Sequence, residues 1–229
     1  MLNSKPTISV IIPTYNEART ITGTLDHLQS LNEKLEIIVV DGGSTDATVQ
    51  LAASAKVVTA PRGRSSQMNA GAKQAQGDIF LFLHSDTQLP LTALGQLHKI
   101  YKNNEIVGGA FRVKIDHAGP FFKLVSLGSN LRATLTGIYF GDQAIFARRE
   151  VFHQIGGFPD IPLMEDWEIS RRLNKAGKSV LLPGPVLTSA RRWLINGKWQ
   201  TTWLMHKIKI LYLLGVSPKD LKRMYTDRR

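Results

Sequence analysis

Residues 36–48 read EIIVVDGGSTDAT, an apolar run that ends abruptly in a carboxylate, two glycines and small polar residues. The run Ile37–Val40 has the length and β-branched content of a buried strand, and the polar segment after it is typical of a turn that begins a helix. Two other apolar runs end in the same way: Ile8–Ile12 precedes PTYNEA (13–18), and Ile79–Leu83 precedes HSDT (84–87).

Helical spacing alternates with these strands. Ile21, Leu25 and Leu28 recur at i, i+4 and i+7, the stretch after residue 48 keeps the same spacing, and a shorter strand is predicted at 56–59. This βαβα order predicts an α/β fold, a parallel sheet with helices on both faces. Because ligands collect at the carboxyl ends of parallel strands, we expect the three polar segments to line one crevice.

The second half is less regular. We predict a strand at 106–115, a helix at 121–135, and a strand, a turn and a short helix within 141–158. The clearest helix is predicted at 163–177, with Trp167 or Ile169 and Leu173 facing inward and Gly177 ending it.

The composition limits the class of protein. The 229 residues carry 29 Lys and Arg against 18 Asp and Glu, a formal charge of +11, which favours a polyanionic partner: nucleotide phosphates, anionic lipid head groups or nucleic acid. There is no cysteine, so disulfides and thiolate sites are excluded, in keeping with a cytoplasmic protein. The first apolar run is short and stopped by Pro13, which indicates a strand rather than an export signal, and no run is long enough to span a membrane.

The C-terminal segment, residues 191–229, is predicted to be a basic, tryptophan-containing helical extension. Its central part, WLINGKWQTTWLMHKIKILYLL (193–214), mixes three tryptophans, lysines and aliphatic residues. This mixture is compatible with a helix packed on the domain and with an amphipathic helix at a membrane surface.

Asp41 directly follows a predicted strand. A carboxylate there can accept hydrogen bonds from a ribose or a base edge, and the glycines after it allow a ligand to approach the backbone. The alternative for the following residues is structural: Ser44, Thr45 or Asp46 is expected to cap the next helix.

Four segments together resemble the glycosyltransferase family 2 nucleotide-sugar transferases: SVIIPTYNEARTI, EIIVVDGGSTDAT, RGRSSQMNAGAKQAQGDIFLFLHSDT and GGFPDIPLMEDWEISRRL. In detail they resemble a small bacterial subgroup with LHSDT in place of the usual Asp-x-Asp. The resemblance runs from about residue 7 to 190. It implies a GT-A fold over 1–190, with a nucleotide-binding half of about 1–90 and an acceptor half of about 91–190.

The resemblance also implies a nucleotide site. Its residues would be Pro13, Tyr15, Glu17, Asp41, Arg62, Arg64, Asn69 and Ser85. Tyr15 could flank the base, Glu17 could reach the ribose hydroxyls, and the two arginines suit phosphate oxygens. The alternatives are a rim aromatic without a ligand and solvated loop arginines.

Asp86 matches the last carboxylate of the metal motif of the family, which implies Mn²⁺ or Mg²⁺ bridging the diphosphate. The sequence departs from the motif where His84 replaces an aspartate. His84 could be a second metal ligand, a phosphate contact or a structural histidine.

Asp166 matches the catalytic base of the family, with Glu165 beside it. The alternative is that both are acids stabilised by a helix N-terminus. Asp142 and Gln143 are expected on the acceptor side, together with Arg192 and Trp193 from a basic and aromatic motif. Position 189 is Ser, so the Gln-x-x-Arg-Trp motif of processive synthases is incomplete.

The predicted function is inverting transfer of a sugar from a nucleoside diphosphate sugar, UDP-sugar favoured, to an acceptor hydroxyl, which a lipid-linked or amphiphilic compound could supply. Two alternatives are a sugar nucleotidyltransferase and a non-catalytic nucleic-acid-binding module. The first usually carries a Gly-rich basic signature after its first strand, where this chain has PTYNEA, and no nucleic-acid partner is expected. The expected location is the cytoplasm, with peripheral contact at the inner face of the cytoplasmic membrane.

Overall fold

The computed structural model describes residues 5–225. Its strands are β1 (Ile8–Thr14), β2 (Glu36–Asp41), β3 (Lys56–Thr59), β4 (Ile79–Phe82), β5 (Thr87–Gln88), β6 (Ile106–Asp116), β7 (Phe146–Arg148) and β8 (Lys178–Ser189). Its helices are α1 (Ile21–Gln29), α2 (Thr48–Leu51), α3 (Arg64–Gln74), α4 (Ala93–Tyr101), α5 (Pro120–Thr136), α6 (Arg149–Gln154), α7 (Glu165–Ala176), α8 (Arg191–Asn196), α9 (Lys198–Leu213) and α10 (Pro218–Met224).

The strands form one sheet in the order β3-β2-β1-β4-β7-β6-β8-β5. Strands β3, β2, β1 and β4 are parallel, and β7 joins β4 antiparallel. The predicted α/β fold class is confirmed. The sheet runs without interruption through both predicted halves of the chain.

Alternating side chains of β1 explain why helices cover both faces of the sheet. Val10 and Ile12 are fully buried in a cluster with α1 and α4, whereas Ile11 is fully buried in the opposite cluster with α3, α6 and α7. Successive side chains of a strand point to opposite faces, so a continuous apolar run is needed when both faces are covered.

Helix α7 agrees with its prediction. Ile169 and Leu173 are fully buried, Trp167 is half-buried, and Gly177 follows the last helical residue.

The predicted side chain at the start of α2 lies one residue before the N-cap position. Ala47 occupies the N-cap position and makes no side-chain cap, because the polar residues before it cross-link the turn to the end of β1. The Ser44 hydroxyl accepts a hydrogen bond from Asn16 N at 2.8 Å, and Asp46 accepts one from Ala18 N at 3.2 Å. Asp46 also accepts from Thr48 N, two residues further on, at 3.0 Å, so it satisfies the first backbone N–H of α2.

The prediction of one helix over 193–214 is wrong. Gly197, at φ 84°, separates α8 from α9, a left-handed conformation that glycine adopts without strain. Trp193 is 6% exposed and Ile208 is 4% exposed, whereas Trp199 is 76% exposed. The extension therefore packs on the domain and also presents aromatic surface to solvent. No helix among residues 5–225 is long and apolar enough to cross a bilayer.

Candidate functional site

The ends of β1 and β2 are locked together by backbone pairing and one buried amide. Thr14 lies opposite Asp41 in the parallel register, and Gly42 N donates to Thr14 O at 2.9 Å. The Gln67 amide, which we did not predict, donates to both Thr14 O and Val40 O at 2.7 Å. The polar segments 13–18 and 41–48 therefore form one fixed edge, as predicted.

The Asp41 carboxylate braces its own loop. Oδ2 accepts from Gly43 N and Ser44 N, both at 2.9 Å, and Oδ1 accepts from the Ser44 hydroxyl at 2.5 Å. A carboxylate oxygen can accept two hydrogen bonds, so Oδ1 has capacity for one further donor. Asp41 thus has a structural role and also retains the chemistry expected of a base contact.

Two predicted nucleotide residues contact each other. The Arg62 guanidinium lies over the Tyr15 ring, 3.8 Å from its centroid, a cation–π contact that occupies one ring face. Pro13 is buried inside β1 opposite Val40.

Asn69 is placed differently from its prediction. Its amide donates to Phe158 O at 2.8 Å and accepts from Phe158 N at 3.0 Å. Both polar atoms of the side chain thus bond the backbone of the Gly156-Gly157-Phe158 turn. Asn69 therefore links α3 to this turn.

Glu17 and Asp86, from two different strand ends, share one cation. Arg191 Nη2 lies 3.1 Å from Glu17 Oε2 and 3.7 Å from Asp86 Oδ2. Burial, and then the charge of Glu17, raise the pKa of Asp86, while Arg191 and Arg64 oppose the rise. Arg191 belongs to the same basic and aromatic run as the predicted Arg192 and Trp193.

His84 and Asp166 meet at Gly141. Gly141 N donates to Asp166 Oδ2 at 2.8 Å. A β-carbon at position 141 would collide with the His84 ring and lie 3.2 Å from Asp166 Oδ2, so only glycine allows this approach. The predicted metal-motif histidine and the predicted base thus flank one residue. Ser85, also predicted here, is buried, and its carbonyl accepts from the Thr24 hydroxyl at 2.7 Å.

Asp166 and Glu165 are buried at the start of α7, with 7% and 3% of their surface exposed. Burial, and then the neighbouring Glu165 charge, raise the pKa of Asp166 to about 7. Arg64 opposes this rise and lies 4.0 Å from Glu165. Within residues 5–225, Asp166 Oδ1 has no hydrogen-bond partner. A buried carboxylate with a pKa near neutrality and an unused oxygen has the properties of a general base.

The backbone is strained immediately before these acids. Met164 adopts φ 70° at the N-cap of α7, a left-handed conformation that is unfavourable for a residue with a large side chain. Such strain persists where the surrounding structure enforces it, and it clusters at functional sites.

The predicted acceptor-side residues separate into two groups. Asp142 is half-buried, and burial raises its pKa against the opposing Arg132 and Arg64. The fully buried Gln143 accepts from Arg132 Nη2 at 2.9 Å and from Phe140 N at 3.2 Å. Gln143 therefore holds its own loop in place. Asp142 remains as the candidate side chain for a polar contact with the acceptor.

Arg192 and Trp193 point into the C-terminal helices. Arg192 lies over the Tyr225 ring at 4.1 Å, and buried Trp193 donates to the Thr202 hydroxyl at 3.1 Å. Residues 198–225 thus supply contacts to both side chains, and the acceptor contact stays a prediction.

No three His, Asp or Glu residues within 5–225 lie close enough together to hold a metal ion. Hard divalent cations accept one or two carboxylates when substrate phosphates and water supply the other oxygens. Asp86 fits that limited role, since it is partly desolvated and lies at the shared strand edge. His84 is directed at Gly141 and Asp166.

A groove of about 680 Å³ lies away from these residues, and its wall includes Trp167, Arg171, Tyr212 and Val216. None of the predicted site residues lines it. It therefore lies on the outer side of α7, whose inner side carries Asp166.

Comparison with known proteins agrees with this geometry. The sequence model described as Glycosyl transferase family 2 matches residues 9–158. The probable glycosyltransferase YdaM of Bacillus subtilis is 27% identical over 86% of this chain and 54% of its own length. The dolichol-phosphate mannosyltransferase of Pyrococcus furiosus is 31% identical over 76% of this chain and 51% of its own length. The chain thus spans about half the length of these curated relatives.

Solved structures share the fold. Residues 1–349 of S. aureus TarS superpose with a TM-score of 0.66 at 22% identity, covering 80% of this chain and 60% of that 1–349 chain. The Pyrobaculum calidifontis mannosyltransferase PcManGT, in complex with GDP-Man and Mn²⁺, gives 0.61 at 21% identity, covering 81% of this chain and 57% of that chain. The sequence match covers more than half of the chain and contains the strand-end residues, and the chain belongs to glycosyltransferase family 2.

Proposed function

We propose that the protein is an inverting glycosyltransferase that moves a sugar from a nucleoside diphosphate sugar to an acceptor hydroxyl. The observation that carries the proposal is the meeting of His84 and Asp166 at Gly141. This arrangement brings the strand ends, which suit a nucleotide, next to a buried carboxylate, which suits proton transfer.

The donor would lie along the ends of β1, β2 and β4. Tyr15, Glu17 and Asp41 are the contacts for base and ribose, and Arg62, Arg64 and Arg191 supply cations for the diphosphate. Guanidinium groups near a leaving diphosphate stabilise the charge that develops on it. UDP is the favoured nucleotide: TarS has been crystallised with UDP-GlcNAc, although PcManGT binds GDP-Man.

Asp86 would hold a divalent cation, Mn²⁺ or Mg²⁺, together with the phosphates of the donor. When bound, such a cation neutralises charge on the departing diphosphate. The protein contributes one carboxylate, whose raised pKa reflects burial beside Glu17, and a cation would relieve that repulsion. His84 faces Gly141 and Asp166, so its proposed role is to position them.

Asp166 is the proposed base. The acceptor oxygen attacks the anomeric carbon opposite the diphosphate, a new C–O bond forms as the bond to the diphosphate breaks, and the hydroxyl proton passes to Asp166 Oδ1. The Gly141 N–H holds the other oxygen at 2.8 Å, which fixes the orientation of the carboxylate. Glu165 raises the affinity of Asp166 for the proton. Asp142, whose charge also acts on Asp166, is the polar group proposed for the acceptor.

The proposed acceptor is lipid-linked or amphiphilic, and the basic extension at residues 191–229 would meet it at the inner face of the cytoplasmic membrane. The named relatives include a dolichol-phosphate mannosyltransferase, which supports a lipid-linked acceptor. Family membership favours the transferase over a sugar nucleotidyltransferase or a nucleic-acid-binding module.

Thermal unfolding tests the donor site without knowledge of the acceptor. UDP, GDP, CDP and dTDP are each compared with and without Mn²⁺ or Mg²⁺. A nucleotide at about 100 times its Kd adds about 2.7 kcal/mol, which for a chain of this size raises Tm by about 5–10 °C. We expect one nucleotide, UDP first, to do so with metal and to lose the metal-dependent part in Asp86→Asn. No shift with any nucleotide would contradict the proposal.

A further inference from the structure

Helix α5 exposes a stripe of leucines. Leu124, Leu127, Leu131 and Leu135 are 66%, 63%, 55% and 74% exposed. At helical spacing these four side chains fall within an arc of about 80°, so they form one continuous apolar strip. Scattered exposed leucines are ordinary, but a contiguous strip of this kind marks an interaction surface.

Helix α9 exposes a second strip, formed by Trp199, Trp203 and Ile210, which are 76%, 64% and 58% exposed. Their spacing also keeps them on one side of the helix. We call these two strips together the apolar face.

The two helices lie side by side and run in the same direction. At one level Phe121 contacts Trp199, with ring centroids 5.1 Å apart. About three turns further along both helices, Phe140 lies between Arg132 at 4.3 Å and Lys209 at 5.9 Å. Both helices bury their opposite sides in shared contacts, among them Phe122 of α5 and Met205 of α9. The two exposed strips therefore adjoin on one side of the molecule.

The charged residues of the two helices that form the apolar face have one sign. Neither α5 nor α9 contains an acidic residue, whereas Lys123, Arg132, Lys198, Lys207 and Lys209 lie on them. Residues 191–229 carry ten Lys and Arg against two Asp. A second copy of the chain would bring a second set of cations against the first, and like charges oppose such pairing. Hydrocarbon bordered by cations matches acyl chains beneath anionic head groups.

We infer that α5 and α9 together dock on an anionic lipid bilayer, so that the membrane contact does not belong to the C-terminal extension alone. This inference rests on the membrane contact within the proposed function and deepens it. Arg132 of α5 also donates to the carbonyl of Ile138 and to Gln143 Oε1. Docking would therefore place the loop 138–143, which carries Asp142, beside the lipid surface where an amphiphilic acceptor resides.

The test is co-sedimentation of the full chain with vesicles of phosphatidylcholine, alone or mixed with phosphatidylglycerol. Wild-type protein should bind the mixed vesicles and be released by salt. Leu127→Gln/Leu131→Gln should weaken the partition constant about tenfold or more, since each leucine loses its apolar burial. Leu91→Gln is the matched control, because Leu91 is 79% exposed but lies outside the apolar face, and it should bind like wild type.

The outcomes separate the inference from the proposed function. If Trp203→Gln weakens vesicle binding and Leu127→Gln/Leu131→Gln leaves it unchanged, the inferred contact of α5 is overturned. Only the membrane contact of the extension would then be kept. Failure to bind mixed vesicles, equal binding to neutral vesicles, or a wild-type dimer that the double variant dissociates would overturn the inference. Nucleotide-dependent Tm shifts, measured on the same proteins, report the donor site independently.

Discussion

Two regions of this molecule break the usual arrangement of side chains in opposite ways. One is the carboxylate edge, formed by Glu17, Asp86, Asp142, Glu165 and Asp166, where acids are buried or half-buried close to one another. The other is the apolar face of α5 and α9, where leucines and tryptophans are more than half exposed. Burying charge and exposing hydrocarbon both oppose folding.

The two regions differ in whether other side chains offset the unfavourable burial or exposure. At the carboxylate edge, Arg64 and Arg191 come from distant parts of the chain to oppose the repulsion between acids. At the apolar face, nothing among the described residues covers the leucines. A small charged ligand would suffice to complete the proposed site at the edge, whereas the apolar face needs a large surface to cover it. Buried acids and exposed leucines both depart from the usual match between a residue type and its surroundings, and such departures are expected at functional sites.

The largest effect should come from removing the proposed base, Asp166. Asp166→Asn keeps an oxygen for the Gly141 N–H but cannot take a proton, so transfer of radiolabelled sugar should fall by a factor of about 10²–10⁴. The wild-type rate should also rise with pH through about 7, the pKa of Asp166, and then level off. Asp116→Asn, an exposed carboxylate elsewhere, is the control. An Asp166→Asn enzyme with wild-type rates would rule out this role.

The same residue should shape the pH dependence of stability. The pKa of Asp166 is about 7 in the folded chain and 3.8 as an ordinary carboxyl, so the folded state holds the proton more tightly. The free energy of unfolding therefore falls as pH rises from about 4 to about 7, by at most about 4 kcal/mol, and changes no further above that range. Urea unfolding should show Asp166→Asn more stable than wild type at about pH 8 and equal to it at about pH 4. Parallel curves for the two proteins would show that the buried Asp166 carboxyl does not cause the pH dependence.

Removing the cation shared by Glu17 and Asp86 should have an intermediate effect. Arg191→Met leaves Glu17, whose side chain is 5% exposed, without this partner, and should lower stability by about 1–3 kcal/mol. Adding Glu17→Gln should recover part of the loss, because it removes the uncompensated charge. A double variant whose losses simply add would show that the two side chains are not coupled.

The smallest effect on stability is expected at the apolar face. Leu131→Gln should change the free energy of unfolding by no more than about 0.5 kcal/mol, because Leu131 is 55% exposed. Leu25→Ala is the contrast: Leu25 is 1% exposed, and its truncation should cost about 2–5 kcal/mol. A large loss in Leu131→Gln would show that the apolar face is part of the folded core.

The sequence predicted the parallel half well, because its strands are buried on both faces and read as uninterrupted apolar runs. It also predicted which strand ends meet, since parallel strands bring their carboxyl ends to one edge. Side-chain direction was less predictable. Asn69 and Gln143 have the polar atoms that a ligand site needs, but backbone groups and side chains of distant segments occupy them.

Residues from the C-terminal extension were the hardest to assign. Of the run Arg191-Arg192-Trp193, Arg191 reaches the carboxylate edge, whereas its neighbours contact Tyr225 and Thr202. That difference depends on Gly197 turning the chain so that α9 covers Trp193. One cue was available: a short run of cations after a predicted strand can supply partners for acids at other strand ends.

Calorimetric titration of UDP into wild-type protein, Asp86→Asn and the control Asp116→Asn, each with and without Mn²⁺, tests the central claim most directly. The account predicts that Mn²⁺ strengthens UDP binding to wild type and to the control, and that Asp86→Asn weakens the Kd measured with Mn²⁺ at least tenfold, about 1.4 kcal/mol. Equal Kd values for Asp86→Asn and wild type in Mn²⁺, or no heat of UDP binding to any of the three proteins, would contradict the donor site at the carboxylate edge.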